Sequence, residues 1–426
     1  MISEDFLHYV WRYRILETPL YCVSGEEVTV LHPGEYNRDG GPDFINARIR
    51  ISGTLWAGNV EIHLRASDWF RHGHQSDPAY HNVILHVVDT CDCEVADSGN
   101  VIIPCLELNA NYPAKLTATY QALLQEKQWI PCHNQLAEVD SSVFGLWAPS
   151  LAFERLSARL TSLQTWMYHA GQRWDEVVYQ VLSSAMGSKV NAQPFELLAR
   201  STPLKILHRH RDHISILEAL LFGQSGLLKP SCTDHYPAEL FRSYLFYRDK
   251  YSLKPLEQGI WKFLRLRPVN FPTIRISQLA DIIHHTENFQ EIMNVNLRIE
   301  DWLNILEAKA TAYWDSHYTF ERESSFVVKT LGKAAIYLIL INGMAPLLFL
   351  FGTKHNQPVY TERTLAMLEE IPAEKNSMIS SWAQHGVHAR NALETQALKQ
   401  LKNCYCDHKR CLECRIGTKL LNKIQY

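Results

Sequence analysis

Between residues 27 and 89, hydrophobic and polar positions follow patterns that predict a β-sheet. Three segments alternate or are rich in β-branched and aromatic residues, and these are Glu27 to Leu31, Phe44 to Ile51 and Leu55 to Leu64. A fourth segment, Asn82 to Val88, is almost continuously apolar, which is typical of a strand buried on both faces. Ser52 and Gly53 are expected to join the second and third strands as a hairpin.

After residue 140 the apolar spacing changes from two residues to about 3.6, which predicts helices instead of strands. Leu156, Leu160 and Leu163, for example, recur at helical spacing. We therefore predict an α+β chain. It comprises an N-terminal mixed-sheet domain over residues 1–138, a larger and mainly α-helical domain over residues 139–395, and a Cys-rich tail over residues 396–426.

Composition and charge limit the class of protein. The chain has 426 residues, of which 46% are hydrophobic and 20% charged, as expected of a globular protein with two or three domains. A formal net charge of -3 gives no overall attraction to nucleic acid, so any such binding requires local basic patches. The longest apolar run, from Ala334 to Phe351, contains Asn342, Gly343 and Pro346. We predict that it is a buried helix with a break and not a membrane span.

The N-terminus and the cysteines predict the cellular compartment. The segment from Met1 to Asp5 is acidic and lacks the basic region and apolar core of a cleavable signal. Ten cysteines in such a chain indicate a reducing environment, with thiols or metal ligands in preference to disulfides. We therefore predict a cytoplasmic protein without a membrane partner.

Two carboxylates are predicted to meet on the hairpin. Asp43 opens the second strand, whereas Glu61 and His63 lie two residues apart on the third, so their side chains share a face. Pairing around the hairpin places the start of one strand beside the end of the other, which makes Asp43 and Glu61 neighbours. Adjacent carboxylates repel unless a cation lies between them, and oxygen ligands suit Mg²⁺ or Mn²⁺. Such a cation lowers the pKa of a bound water and neutralises charge on a phosphodiester.

Histidines close to this pair predict a competing metal site. His72 and His74 lie in a loop that follows Glu61 and His63, and His86 lies on the fourth strand. If these side chains converge, a histidine-rich site for Zn²⁺, Mn²⁺ or Fe competes with the Mg²⁺ interpretation. For His86 alone, a structural hydrogen-bond network is an equal alternative.

These residues resemble the motif of the PD-(D/E)XK nuclease superfamily. The dipeptide PD that ends at Asp43 matches the first half of the motif, and the tripeptide EIH from Glu61 to His63 matches the second. The resemblance implies a mixed-sheet domain of PD-(D/E)XK-like type in which Asp43 and Glu61 hold the metal. Glu4, in a helix-like N-terminal segment, corresponds to the acid on the family's first helix. His63 stands where the family has lysine, and a histidine can act as a base or a ligand near neutral pH.

A resemblance over nearly the whole chain is to an uncharacterised bacterial family of unknown function. The segments that carry it are GPDFINARI, GNVEIH, SDWFRHGH, YHNVILHVVD, NAQPFELLA, LEALLFGQSGLL, RPVNFPTIRISQLA and the C-terminal CDHKRCLECRIG. This second resemblance implies no activity.

The segment from Leu240 to Arg275 is the most basic internal stretch, and aromatic residues lie between its charges. Basic and aromatic side chains together can follow a phosphate backbone and stack on bases. The candidate nucleic-acid-binding residues are Lys262, Arg265, Arg267 and Arg275. An amphipathic helix pair with solvated charges is the alternative.

Four C-terminal cysteines form a second candidate metal site. Cys404, Cys406, Cys411 and Cys414 lie within eleven residues, with His408 between them. Closely spaced thiolates suit Zn²⁺ or, as an alternative, an iron–sulfur cluster. Because a single residue separates Cys404 from Cys406, His408 or a cysteine from elsewhere in the chain could replace Cys404. Free thiols in a basic tail are the remaining alternative.

Three functions from different classes follow from these features. The leading hypothesis is a metal-dependent nuclease, or a nuclease-derived protein that binds DNA or RNA, with Asp43, Glu61 and His63 at its centre. The second is a non-catalytic scaffold of nuclease-like fold that binds nucleic acid or protein. The third is a hydrolase of a small substrate that uses Zn²⁺, Mn²⁺ or Fe held by the histidines. Cleavage of nucleic acid that depends on a divalent ion would separate the first from the other two.

Overall fold

The predicted hairpin lies within a seven-stranded sheet in the N-terminal part of the chain. The structure is a computed structural model, and it describes residues 2–37, 39–97, 99–109 and 111–422. The strands of this sheet are β1 (Leu20–Tyr21), β2 (Glu27–His32), β3 (Glu35–Tyr36), β4 (Phe44–Ile51), β5 (Thr54–Arg65), β6 (Val83–Thr90) and β7 (Cys105–Glu107). Their order is β1-β2-β4-β5-β6-β7, with β3 paired to β4.

Strand pairing and burial agree with the sequence pattern. β2, β4 and β5 pair antiparallel, whereas β5, β6 and β7 pair parallel. Burial alternates along β4, as in a strand with one face on the core. The first six residues of β6 are all buried, because this strand lies inside the sheet with both faces covered. The hairpin between β4 and β5 turns at Ser52 and Gly53, which both have positive φ.

Three helices follow the same part of the chain, and these are α1 (Glu4–Arg12), α2 (Asp68–Arg71) and α3 (Ala114–Gln125). Helix α1 is amphipathic and buries Phe6, Leu7 and Val10 in the same hydrophobic core as the sheet. Glu4 and His8 lie four residues apart on this helix, so their side chains share one of its faces. The core therefore holds α1 in the orientation that brings both polar side chains to one place.

Helices make up most of the remaining chain, as the sequence pattern predicted. They are α4 (Ser141–Ser157), α5 (Leu160–His169), α6 (Trp174–Met186), α7 (Ser188–Ser201), α8 (Leu204–His208), α9 (Ile214–Gln224), α10 (His235–Tyr251), α11 (Pro272–His285), α12 (Ile299–Ile305), α13 (Lys333–Ile339), α14 (Ala345–His355), α15 (Pro358–Glu370), α16 (Ser377–Gln384), α17 (Ala392–Gln400) and α18 (Arg415–Asn422). The strands β8 (His317–Thr319) and β9 (Arg322–Glu323) form a separate two-stranded sheet. The fold is thus mixed α and β, with an N-terminal mixed sheet and a larger helical part.

The chain divides into two compact units. The first consists of Met1–Trp147, Gln384–Val387 and Leu401–Tyr426, and the second consists of Ala148–Ala383 and His388–Gln400. Residues 401–422 of the Cys-rich tail, including α18, therefore belong to the same unit as the N-terminal sheet, whereas residues 396–400 belong to the second unit. The sequence pattern, by contrast, separates this tail from the N-terminal domain.

The long apolar run is a helix with a break, as predicted. Lys333–His355 is long and apolar enough to cross a membrane, yet 67% of its most apolar stretch is buried inside the structure. A π-helical segment, Leu340–Met344, separates α13 from α14 and lies directly before Pro346. Burial of this extent is typical of a core helix.

A buried carboxyl group, Glu218, connects three elements of the second unit. Its Oε1 accepts hydrogen bonds from Ser277 Oγ at 2.6 Å and Thr311 Oγ1 at 2.9 Å. Its Oε2 accepts a hydrogen bond from Tyr236 Oη at 2.7 Å. Glu218 is only 1% exposed, and burial raises its pKa, although the three hydroxyl donors lower it. This network therefore satisfies a polar group that would otherwise be costly to bury.

Glu218→Ala is expected to lower the free energy of unfolding by about 3 kcal/mol, because it leaves buried hydroxyl groups without their acceptor. Glu218→Gln keeps an oxygen acceptor and a neutral side chain, so we expect a smaller loss. Urea unfolding of the two variants measures the difference. The exposed Glu362→Ala variant on α15 is the control and should change stability by about 0.5 kcal/mol or less. Equal stability of Glu218→Ala and wild type would contradict the structural role of this network.

Candidate metal centre

The register of β4 and β5 brings Asp43 and Glu61 together. Phe44 is paired with Val60, so the residue before Phe44 lies beside the residue after Val60. The backbone N–H of Asp43 donates to Glu61 Oε2 at 3.0 Å, and the backbone N–H of Ile62 donates to Asp43 Oδ2 at 3.0 Å. Each carboxylate is therefore positioned by the backbone next to the other. Asp43 and Glu61 are therefore neighbours in the structure, as the predicted hairpin implies.

Helix α1 adds two ligand-type side chains to Asp43. Donor atoms of Glu4, His8 and Asp43 lie within 4.8 Å of one another. His8 Nε2 is 3.1 Å from Asp43 Oδ2, yet no described residue completes a hydrogen bond of acceptable geometry with this buried nitrogen. Burial lowers the pKa of His8, but the nearby carboxylates of Asp43, Glu4 and Asp5 raise it above its usual value overall. His8 is not among the residues predicted from sequence, although its four-residue spacing from Glu4 on a helix is a signal for it.

Two histidines lie beside the other oxygen of Glu61, and a third histidine contacts them. Glu61 Oε1 lies 3.2 Å from His74 Nε2 and 3.5 Å from His63 Nε2. His63 Nε2 lies 3.2 Å from His72 Nδ1, and donor atoms of the three histidines are within 4.8 Å of one another. Among the described residues, none completes a hydrogen bond with the buried His74 Nε2. Glu61, His63 and His74 therefore lie together, and His72 joins them through its contact with His63.

Local structure explains how the loop histidines reach the strand. Glu61 and His63 lie two residues apart on β5, and α2 begins three residues after that strand ends. Gly73 has a φ of 79°, a left-handed conformation that reverses the chain between His72 and His74. The ring of His74 stacks on Tyr80, with ring centroids 3.8 Å apart. The turn and this stacking direct both imidazoles towards Glu61 and His63.

His86 contacts the cluster through His63 and not through the carboxylates. It is the register partner of Glu61 on the parallel strand β6, and its Nε2 lies 2.9 Å from His63 Nδ1. A hydrogen bond at Nδ1 leaves His63 Nε2 facing His72 and Glu61. His86 therefore has the orienting role that partners of metal-bound histidines commonly have.

Burial without a cation makes the charged forms of these groups unfavourable. Burial, together with the neighbouring charges of Asp43 and Glu4, raises the pKa of Glu61 to about 9. Burial likewise lowers the pKa of His63 to about 2 and that of His86 to about 4, with contributions from the other histidines. Neutral imidazoles are the form that binds metals, and a bound cation would favour the ionised carboxylates. Burial therefore favours the neutral forms of Glu61, His63 and His86.

The distances between donor atoms match those around a metal ion. With metal–ligand bonds of about 2.0–2.1 Å, adjacent donors are about 2.9 Å apart in an octahedron and about 3.3 Å apart in a tetrahedron. The observed pairs around Asp43 and Glu61 range from 3.1 to 3.5 Å. Glu61 with three imidazoles suits Zn²⁺, Mn²⁺ or Fe, whereas Glu4, His8 and Asp43 offer a mainly oxygen set that suits Mg²⁺ or Mn²⁺.

The site reaches solvent along one side. The side chain of Asp43 is 20% exposed and His72 lies at the surface, whereas the side chain of His63 is only 1% exposed. The two acids and the imidazoles are thus neither on opposite faces nor covered completely. A ligand can approach from the side of Asp43 and His72.

The predicted basic residues belong to the second unit and differ in exposure. Lys262, Arg265 and Arg267 are exposed. Arg275 is only 8% exposed, and its guanidinium donates to Asn270 Oδ1 at 2.7 Å and to Gln278 Oε1 at 2.9 Å. The side chain of Arg275 therefore stabilises the start of α11 inside the fold. Only the first three offer their charge at the surface.

The C-terminal cysteines occupy two local environments. Cys404 and Cys406 lie on a π-helical segment, Leu401–Cys406, and both are partly buried. Cys411 and Cys414 are buried in the loop before α18. All four are free thiols that belong to the first unit.

Comparison with protein-family models matches residues 4–377 to a family described as a protein of unknown function, DUF2851. The chain belongs to the DUF2851 family. This match confirms the predicted membership in an uncharacterised family, and it includes every residue of the candidate metal centre described above. No curated protein and no solved structure matches the chain.

Proposed function

We propose that this member of the DUF2851 family is a metal-dependent hydrolase of phosphodiesters, similar in function to a nuclease. The observation that carries the proposal is the meeting of Asp43 and Glu61, with ligand-type side chains on both sides. Glu61 accepts a hydrogen bond from the backbone N–H of Asp43, and Asp43 accepts one from the backbone N–H of Ile62, the residue after Glu61. The placement of Glu4 on a first helix, Asp43 at a strand start and Glu61 on the hairpin partner further supports it. These are the positions that the resemblance to PD-(D/E)XK nucleases implies.

The residues of the site form two sets with different proposed roles. Asp43, with Glu4 and His8, would hold Mg²⁺ or Mn²⁺ at the more exposed side, and Glu61 connects this set to the histidines. A divalent cation here supplies a water of lowered pKa and neutralises charge on the substrate. His63 replaces the lysine of the resembled motif, but both of its ring nitrogens contact other imidazoles. Its role is therefore to hold the imidazole cluster in place and not to act as a freely accessible base.

Exposed cations of the second unit are the proposed contact with nucleic acid. Lys262, Arg265 and Arg267 lie in one exposed segment, and Leu264 within it is 83% exposed. Since the chain as a whole carries a formal charge of -3, binding of DNA or RNA must come from such a local patch. A cytoplasmic location without a membrane partner is part of the same proposal.

The three-histidine arrangement favours a second candidate function. His63, His72 and His74 form a set of three imidazole nitrogens, and Glu61 Oε1 lies beside two of these histidines. Donors of this kind are typical of sites for Zn²⁺, Mn²⁺ or Fe. A hydrolase of a small substrate could use such an ion. A non-catalytic scaffold that binds nucleic acid or protein would keep the same contacts and show no turnover.

A substrate and metal panel tests the proposal. Purified full-length protein is incubated with single- and double-stranded DNA, with RNA and with a small phosphodiester, each in Mg²⁺, Mn²⁺, Zn²⁺ or a chelator. We expect cleavage of at least one nucleic acid with Mg²⁺ or Mn²⁺ and none with the chelator. Hydrolysis of the small compound alone favours the second candidate. Binding of nucleic acid without cleavage under any metal favours the scaffold and contradicts the hydrolase.

A further inference from the structure

A cysteine far from the tail in sequence lies beside the C-terminal cysteines in the first unit. Cys411 is part of the buried core of this unit, and Cys132, from the segment after α3, packs against the same core. Cys406 has Cys414, Cys132 and Cys411 as its neighbouring thiols. Cys132 in turn has Cys414 as a neighbour, and Cys411 has both Cys414 and Cys132. Four thiols from two distant parts of the chain therefore form one cluster.

Cys404 lies outside this cluster for a geometric reason. It is two residues before Cys406 on the π-helical segment, and residues two apart on a helix point to nearly opposite sides. Cys406 faces the other thiols, so the side chain of Cys404 is directed away from them. The backbone oxygen of Cys404 instead accepts a hydrogen bond from Arg410 Nη1 at 3.1 Å.

The backbone around Cys414 is arranged to stabilise a thiolate. Cys414 directly precedes α18, and the nearby backbone N–H groups of Ile416 and Gly417 partly offset the rise in its pKa that burial causes. Such donors favour the charged form of sulfur, as metal-bound cysteines require. Gly417 also allows close packing, because a Cβ at this position would collide with the carbonyl oxygen of Cys411. The loop that carries Cys411 and the helix that follows Cys414 are thus held against each other.

Burial opposes ionisation of these thiols when no cation is present. It raises the pKa of Cys132 and Cys411 to about 12 and that of Cys414 to about 11, and it raises the pKa of Cys406 well above its usual range. Neighbouring thiols contribute to this rise for Cys132, Cys406 and Cys411. A soft metal compensates for both effects, because it binds several thiolates at once.

We infer that Cys132, Cys406, Cys411 and Cys414 form a four-thiolate site for a soft metal centre that fastens the C-terminal segment to the N-terminal part of the first unit. Cys404, the ligand expected from its spacing alone, is not part of it. The site is separate from the Asp43 and Glu61 centre and does not depend on the proposed hydrolase activity.

The distances between the sulfur atoms limit which metal centre the four cysteines can hold. Thiolates on one zinc ion, with bonds of about 2.3 Å, are about 3.8 Å apart. Among the described residues, no three of these sulfur atoms come within 4.8 Å of one another. In an iron–sulfur cluster each thiolate binds a different iron, so its four ligands are spaced more widely. Thiolate ligands of this kind hold either an iron–sulfur cluster or zinc, and the metal content of the protein distinguishes the two.

Metal analysis of the full-length protein, purified without oxygen, tests the ligand set. Iron, acid-labile sulfide and zinc are measured in wild type and in the Cys132→Ser, Cys406→Ser and Cys404→Ser variants. We expect Cys132→Ser and Cys406→Ser to lose most of the metal and Cys404→Ser to keep it. Iron with sulfide supports the cluster, whereas one zinc per chain supports the ligand set and overturns the cluster.

Thiol protection in wild type tests the same set without relying on the folding of a variant. After alkylation, mass spectrometry should find Cys404 modified. The four proposed ligands should stay unmodified until the metal has been removed. Full metal content in Cys132→Ser, or loss of metal in Cys404→Ser, would overturn the proposed ligands. So would the absence of zinc, iron and sulfide from wild type after incubation with Zn²⁺ and after iron–sulfur reconstitution.

Discussion

Asp43→Asn and Glu61→Gln variants are expected to lose metal-dependent hydrolysis by at least about 100-fold, which corresponds to about 3 kcal/mol of transition-state stabilisation. Each substitution removes the charge of a carboxylate but keeps its size and an oxygen that can accept the backbone hydrogen bond. The fold should therefore survive. Initial rates on the substrate that wild type cleaves give the loss, and circular dichroism checks the fold.

Stability separates the chemical role of Glu61 from a structural one. Because burial raises the pKa of Glu61 to about 9, the metal-free fold favours a neutral side chain, and Gln supplies one. Metal-free Glu61→Gln should therefore be at least as stable as metal-free wild type. The matched controls are substitutions of two exposed residues, Asp5→Asn on α1 and Glu27→Gln on β2. Both variants should keep full activity. Variants of Asp43 or Glu61 that retain more than about one-tenth of wild-type activity would refute the role of this pair.

The second large effect is expected in metal binding at the histidines. His72→Ala and His74→Ala should weaken the binding of Zn²⁺ or Mn²⁺ by at least about 10- to 100-fold, because each removes a nitrogen from the set beside Glu61. Calorimetric titration of metal-free protein measures this affinity. The matched control for the exposed His72 is His81→Ala, an exposed histidine that follows the same loop. Equal affinities in His72→Ala, His74→Ala and His81→Ala would show that the imidazole cluster holds no metal.

The two sets of variants together distinguish the candidate functions. If Mg²⁺-dependent cleavage of nucleic acid needs Asp43 but tolerates His72→Ala, the catalytic cation belongs to the acidic set, and the histidines have another task. If hydrolysis of a small compound needs Zn²⁺ and both histidines, the histidine set carries the reaction. Each outcome assigns catalysis to one of the two sets of donor atoms.

Much of the sheet could be predicted because its determinants are local. Alternation over β4, the apolar run of β6 and the turn at Ser52 and Gly53 are all contained in short segments. The turn sets the register of the hairpin, and the register alone makes Asp43 and Glu61 neighbours. This part of the candidate site was therefore accessible to sequence reasoning.

Other residues could not be placed in this way. Arg275 has the same charge and similar neighbours in sequence as Arg265 and Arg267, yet it is buried against Asn270 and Gln278. Its burial depends on how α11 packs, which the pattern of charged residues along the sequence does not show. His8 similarly needs the packing of α1 on the sheet to reach Asp43.

The sequence by itself determined the α+β class, most strands of the sheet, the hairpin and the acid pair, since period and turn chemistry act over a few residues. Only the tertiary structure decided that His8 joins Asp43, that three imidazoles meet beside Glu61 and that Cys132 lies with the C-terminal thiols in place of Cys404. These contacts join elements that the core packs together although they are distant in the chain. Hydrophobic burial stabilises a fold in proportion to the total apolar area removed from water. It can therefore bring distant residues together without a local sequence pattern that marks them.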